Sequence, residues 1–220
     1  SADRLFLHRG GASKLAFPEP LDFSPFAPDP PGGAAYSHFH MANLFGLPLL
    51  RRHAGETLRR AKAAGFTTSL DTGWDSKERW MADLAPCLPH VDLLFVNQNE
   101  SENLTGQTSP ELAASALLAR GAGIVVTKLG AQGCLVSTPE DAFHMPAFQV
   151  APVDTTGAGD CFAGGFLAAL HHSPDLNAAA RIANAAGALS TSHLGAVTGL
   201  LSWAETLDWT RRHPAYGSRV

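Results

Sequence analysis

The sequence has little that would mark it for an oxidising compartment, a membrane or a nucleic acid. It holds three cysteines, Cys87, Cys134 and Cys161, an odd number without close pair spacing, so neither a disulfide framework nor a zinc cluster is indicated. They are expected to be reduced and mostly buried. Charged residues make up only 16% of the chain and the formal net charge is -4, which argues against a surface of concentrated Lys and Arg for nucleic acid. The basic pairs Arg51-Arg52, Arg59-Arg60 and Arg211-Arg212 are scattered and read as solvated helix faces. No run of about 18 apolar residues is free of charge or helix breakers, and no basic-then-apolar leader opens the chain. No membrane partner is therefore expected, and the location reads as cytoplasmic.

What is present is enough for one sizeable core: 220 residues, of which 45% are hydrophobic. Residues 4–9 read as a strand, and 17–33, rich in Pro and Gly, as an irregular excursion that serves as a lid connection or linker. From residue 34 onward, short apolar runs alternate with helical patterns, the signature of βαβ units. Strands are expected at 35–39, 67–70, 93–97 and 124–127, with an antiparallel pair at 134–137 and 142–144. Helices are expected over 49–64, 77–88, from Ser109-Pro110-Glu111, over 157–171, 174–191 and 203–212, the last opened by a Ser202/Glu205 capping box. The domain reading is a lid strand and connection at 1–33 and an α/β core at 34–220. Its fold is an open, mainly parallel α/β sheet flanked by helices on both faces, which takes ligands at the carboxyl ends of its strands.

The most informative run is Val153-Asp154-Thr155-Thr156-Gly157-Ala158-Gly159-Asp160-Cys161-Phe162-Ala163-Gly164-Gly165. Gly157 and Gly159 let the backbone approach a ligand with its N–H groups turned outward, and the apolar stretch that follows makes this a helix N-terminus suited to an anion. Asp160 falls in the first turn, close enough to that cradle to take a proton from an attacking hydroxyl. An ordinary glycine turn with a favourable first-turn acid explains the same letters. Two other glycine motifs are excluded: Phe162 stands where a dinucleotide fingerprint needs glycine, and no Gly-Lys-Ser/Thr ending of a Walker loop occurs.

Three further strand-end segments bear on chemistry. Asn97-Gln98-Asn99-Glu100-Ser101-Glu102 gathers oxygens of the kind that hard cations prefer; a lone Glu suffices for Mg²⁺ held largely through water, while Asn99 and Glu102 are expected to cap the helix. Lys128-Leu129-Gly130-Ala131-Gln132-Gly133 follows a strand and reads equally as a turn. Asp71-Thr72-Gly73-Trp74-Asp75 ends another strand, with Arg79-Trp80 on a short helix, and reads as a solvated loop with Trp80 half-buried. His38-Phe39-His40 shares a face without a further ligand nearby, so core or surface histidines are expected rather than a metal site.

The 153–165 run resembles the C-terminal signature of the PfkB carbohydrate kinase family, the ribokinase-like sugar and nucleoside kinases, whose pattern is Asp-Thr-x-Gly-Ala-Gly-Asp followed by paired glycine. The resemblance implies a ribokinase-like fold and ATP-dependent phosphorylation of a hydroxyl of a sugar or sugar derivative. Asp160 would be the base that meets the substrate, and Gly157, Ala158 and Gly159 the anion hole. Asn97 and Glu100 match the family's Asn-x-x-Glu, which organises Mg²⁺ through water. Lys128, Gly130 and Gly133 match a Thr/Lys-x-Gly-x-x-Gly loop on the nucleotide phosphates, where a lysine is a strong point charge. Thr155 and Asn184 fall at nucleotide-contacting positions, although a small-residue packing face explains Asn184 nearly as well. Asp154 sits where some members hold K⁺ with carbonyls of a loop like 192–196, and Asp71 and Arg79 match substrate-side positions of related sugar kinases.

The likeness runs over most of the chain, yet family members carry about 90 to 110 further residues ahead of the strand at 4–9, within ordinary domain sizes. Those residues supply sugar contacts, so a truncated or incompletely presented chain is the expectation. Exposed sheet edges would favour association, and a homodimer is compatible with that. A nucleoside kinase of the same family and a nucleotide-binding regulatory protein without catalysis are the alternatives.

Overall fold

The computed structural model describes residues 11–26 and 36–213. The strand expected over 4–9, and with it the lid, lies outside the described residues, as does part of the excursion at 17–33. The chain divides into two compact units, Ser1–Asp92 and Leu93–Val220.

In the first unit, β1 (His38–Met41) runs parallel to β2 (Thr67–Asp71), and α1 (Ala54–Ala63) connects them. The strand expected at 35–39 sits further along because its pairing partner sets the register: His38 lies opposite Thr67 and His40 opposite Ser69. On that shared face Nδ1 of His38 meets Thr67 Oγ1, and Nε2 of His38 and Nδ1 of His40 both meet Ser69 Oγ, each at 2.7 Å. Burial, and then neighbouring His40, hold His38 below its ordinary pKa, consistent with a neutral His38 ring that serves as a hydrogen-bonding partner. The opposite face is apolar: Phe39 packs on a cluster of Phe23, Ala61 and Phe66, which fastens residues 21–23 beside α1.

The helix expected over 49–64 is broken. A 3-10 turn at Leu50–Arg52 precedes α1, with non-helical His53 between them. The helix expected over 77–88 shrinks to α2 (Met81–Leu84) and a 3-10 turn at Leu88–His90. The backbone N–H groups of Lys77, Arg79 and Trp80 all donate to the Asp75 carboxylate, and Glu78 and Trp80 have φ of 54° and 36°, which no right-handed helix tolerates. Arg79 and Trp80 therefore precede the helix instead of lying on it.

The second unit opens with β3 (Leu93–Asn97), followed by α3 (Gln98–Thr105), α4 (Pro110–Leu118) and β4 (Ile124–Lys128), which is parallel to β3. Strands β5 (Cys134–Ser137) and β6 (Ala142–Met145) then continue antiparallel, as their short spacing requires. Helices α5 (Ala158–His172), α6 (Leu176–Thr191) and α7 (Trp203–Arg212) complete the unit. Alternation along the strands assigns the two faces. Leu93, Phe95, Val126, Cys134 and Val136 meet α5 and α6 through Phe162, Ala163, Phe166, Ala179 and Ala183, while α3 and α4 lie against β3 and β4. Phe95 and Phe166, both 0% exposed, cross edge to face at 5.6 Å and lock α5 to the strand layer; truncating such a ring costs about 3–5 kcal/mol. Alanines dominate the buried face of α6, and the start of α7 carries the expected reciprocal Ser202/Glu205 box.

Candidate active site

The site of the second unit is assembled from strand ends. Asn97 closes β3 and caps α3: its side chain accepts from Glu100 N at 2.9 Å, and Glu100 Oε2 accepts from Asn97 N at 2.9 Å. The cap thus falls on Asn97 and Glu100, not on the expected Asn99 and Glu102. The reason is that α3 starts directly after the strand, leaving no intervening loop. Glu100 is 5% exposed and held firm by this reciprocal box.

Asn97 is also the register partner of Lys128 at the end of β4. Beyond Lys128 the chain makes a 3-10 turn at Gly130–Gln132, closed by Leu129 N donating to Gly133 O at 2.8 Å. Gly133 has φ 99°, and a Cβ there would stand 2.0 Å from Met145 O, so no other residue fits. The Lys128 ammonium reaches α5: its Nζ lies 3.4 Å from where a Cβ on Gly159 would be.

The 153–165 run is anchored by its first aspartate. Asp154 accepts from Thr156 N at 2.9 Å and from Gly195 N at 3.0 Å, and the N–H groups of Val153 and Asp154 both donate to Thr191 O. Thr155 O takes Ala158 N at 3.4 Å. Gly157 is the N-cap of α5 with φ 76°, and a Cβ on it would come within 2.7 Å of Ala196 Cβ. No side chain caps α5, and the Ala158 N–H has only the long contact to Thr155 O, so this helix end suits an anion. Asp160 stands exposed within that first turn. Lys128, Gly157, Ala158, Gly159 and Asp160 are therefore brought together around one helix end, with Asn97 at the end of the strand paired with Lys128 and Glu100 in the first turn of α3.

Asn184 has a structural task. It is 6% exposed, and its Nδ2 donates to Met145 O at 3.1 Å and Pro146 O at 3.4 Å, bracing the corner against which Gly133 packs. The cysteines are free and buried as expected; burial pushes the Cys87 and Cys134 thiols up to about 12 and raises Cys161 as well, so none is an activated nucleophile. Among the described residues no group of three or more His, Cys, Asp or Glu could hold a metal directly, and no helix is long and apolar enough to cross a membrane.

The other predicted residues lie in the first unit. Asp71 ends β2 at 7% exposure, and Arg79 pairs with Asp83 at 2.7 Å while remaining largely exposed. Around them the loop is largely exposed, as expected, but it is pinned by a buried anchor at Asp75. Arg51 grips Asp75 through both terminal nitrogens at 2.6 and 2.7 Å and pairs with Asp83 through Nε, and Trp80 is 8% exposed. Burial would raise the Asp75 pKa, but the Arg51 guanidinium and three backbone donors outweigh it and hold the carboxyl at about 2. Arg51 is thus a buried anchor at 7% exposure, whereas Arg59 and Arg60 sit on the solvated face expected, paired with Glu56. Nothing local could have revealed Arg51, since its partners lie on a different segment of the chain.

An α/β fold that gathers a cation, an uncapped helix N-terminus and a first-turn carboxylate at its strand ends defines a class of phosphate-handling proteins. The pfkB family carbohydrate kinase profile matches residues 34–203, and the chain belongs to that family. It is 38% identical over 143 residues to an ATP-dependent ribose-1-phosphate kinase of Halopiger xanaduensis, covering 65% of this chain and 46% of the relative. To fructokinase-1 of Zea mays it is 32% identical over 188 residues, covering 80% and 58%. A solved fructokinase double mutant from Vibrio cholerae O395, in a form bound to fructose, ADP and potassium ion, superposes with a TM-score of 0.70 at 27% identity, covering 80% of this chain and 62% of that one. The chain spans about half the length of the curated relatives it matches.

Proposed function

We propose that this chain carries the nucleotide and catalytic part of an ATP-dependent sugar kinase, a cytoplasmic enzyme acting on small molecules. The observation that carries the reading is the Lys128 ammonium lying beside Gly159 at the uncapped start of α5, on the strand end paired with Asn97. In this reading Asp160 takes the proton of the acceptor hydroxyl and holds it on its carboxyl, while the hydroxyl oxygen bonds to the γ-phosphorus in line and the bond from that phosphorus to the β–γ bridging oxygen breaks, releasing ADP. The N–H groups of Gly157, Ala158 and Gly159 receive the charge that spreads over the phosphoryl oxygens, and Lys128 neutralises the β- and γ-phosphates. Gly130, Gly133 and Thr155 shape the backbone along the nucleotide, and Asn184 holds that backbone in place. Asp71 and Arg79 are assigned to the acceptor side.

The donor set fits Mg²⁺ held through water: one buried carboxylate, Glu100, has an oxygen occupied in the α3 cap, and Asn97 adds an amide. When bound, the ion supplies charge neutralisation on the phosphates. Asp154, fastened to Gly195, fits a monovalent cation shared with carbonyls of 192–196, in keeping with the potassium in the related fructokinase structure.

The test is ADP release by the full-length protein with Mg·ATP and a panel of D-fructose, D-ribose, ribose 1-phosphate and an aminoimidazole riboside. Acceptor-dependent ADP release is expected. Release that no acceptor stimulates, alongside measurable ATP binding, would favour the regulatory alternative.

A further inference from the structure

Trp74 is 60% exposed, and it stands shortly after Asp71, the last residue of β2, at the strand end where open α/β sheets take ligands. An exposed indole is usually loosely held, but this one is backed by a stack of fixed groups. Its ring meets Trp80 edge-on, with centroids 5.0 Å apart and planes at 85°. Trp80 meets Phe45 at 5.7 Å and 80°, and the Arg51 guanidinium lies over the Phe45 ring at 4.8 Å.

The backbone that carries this stack is over-determined. Asp75, next to Trp74, is 1% exposed and gathers Arg51 and the N–H groups of Lys77, Arg79 and Trp80. Glu78 and Trp80 are held at positive φ, a strain that persists only where the surroundings enforce it and that clusters at ligand sites. A buried ion pair, strained backbone and two internal aromatic rings thus fix an aromatic face that remains in water. Such support is what a preformed binding platform requires.

We propose that Trp74 is a specificity-determining platform on which the sugar ring of the acceptor lies, its C–H face against the indole. The face of an aromatic ring carries negative charge density and attracts positively polarised C–H groups, the same electrostatics that orient edge-to-face ring pairs. The hydroxyls of a sugar then point away from the ring, where the largely exposed Arg79 of the same loop offers donors. This assignment rests on the sugar-kinase reading and names which part of the acceptor Trp74 meets.

The experiment compares the full-length protein with its Trp74→Ala and Trp74→Phe variants, by kinetics over the acceptor panel and by tryptophan emission during titration with D-fructose and D-ribose. Trp74→Ala is expected to raise the acceptor KM about five- to tenfold, more than it lowers kcat, with the ATP KM unchanged; Trp74→Phe keeps most of the affinity. An unchanged acceptor KM in Trp74→Ala with normal turnover overturns the platform and leaves the kinase reading standing. A rise confined to the aminoimidazole riboside overturns the sugar-face assignment in favour of stacking on a planar aglycone. Where the wild type transfers phosphate to no acceptor, the kinase reading fails and emission alone decides. A change with either sugar in the wild type that is lost in Trp74→Phe supports the platform, and no change with either overturns it.

Discussion

Asp75, in the loop after β2, is 1% exposed and accepts from Arg51 and three backbone N–H groups, whereas Asp160, in the first turn of α5, stands exposed beside an uncapped helix end. Both are aspartates shortly after a glycine, at positions 75 and 160. The first spends its hydrogen-bonding capacity inward and fixes a backbone path that includes two strained residues; the second keeps its carboxylate toward solvent. The difference separates a carboxylate that builds from one that can react, and residue type alone does not make that distinction.

The comparison can be broken most severely at its reactive end. Asp160→Asn, which keeps size and removes the proposed base, is expected to lower turnover by about two to four decades with ATP binding nearly intact. Near-normal turnover in steady-state assays would take Asp160 out of the base's role. At the building end, Arg51→Ala leaves Asp75 and Asp83 buried or half-buried without their main partner and should cost about 3–5 kcal/mol in urea unfolding. A loss under about 1 kcal/mol would mean that the backbone donors alone secure Asp75.

Two smaller effects sharpen the contrast. Gly157→Ala puts a side chain at φ 76° and against Ala196, so about 1–3 kcal/mol of stability should go, with a fall in turnover larger than unfolding explains. Equal losses in both readouts would reduce Gly157 to a structural turn. The pH dependence should come from Asp75. Its folded pKa of about 2 lies below the ordinary 3.8, so its contribution is fully present above the ordinary value and fades as the pH falls through the folded one. The urea midpoint of the wild type should therefore drop over that acid window more steeply than that of Asp75→Asn. Parallel profiles would assign acid sensitivity to other carboxylates.

Much of the second unit was legible. β3 falls on 93–97, β5 on 134–137 and α7 on 203–212 as read from apolar runs and capping residues, because each is fixed by signals within a few residues of itself. The candidate site was legible for the same reason: glycines, a first-turn acid and a strand-end lysine are local patterns. The cap of α3 shows the limit of such reading, since the Asn-x-x-Glu spacing was visible but its placement on Asn97 depended on how abruptly β3 passes into the helix. Asn184 was read as a nucleotide contact or a packing residue, and its bonds to Met145 and Pro146 are the task the structure gives it.

The first unit was harder to read. The segment at 77–88 has helical composition, yet Asp75 draws the N–H groups of Lys77, Arg79 and Trp80 onto one carboxylate, and the path this imposes puts Glu78 and Trp80 at positive φ, which overrides helix propensity up to Met81. Arg51 looked like half of a solvated pair and is instead the counter-ion that makes that capture affordable in a buried place.

The sequence by itself determined the family, the alternation of strands and helices, and the chemical type of the groups at the candidate site, since these depend on residue identity and short spacings. Only the tertiary structure decided which carboxylates are buried and which are available, that Lys128 stands beside Gly159, and that Trp74 remains in water on a rigid backing. Those outcomes depend on side chains far apart in the chain competing for the same donors and the same space, and no local pattern records the result of that competition.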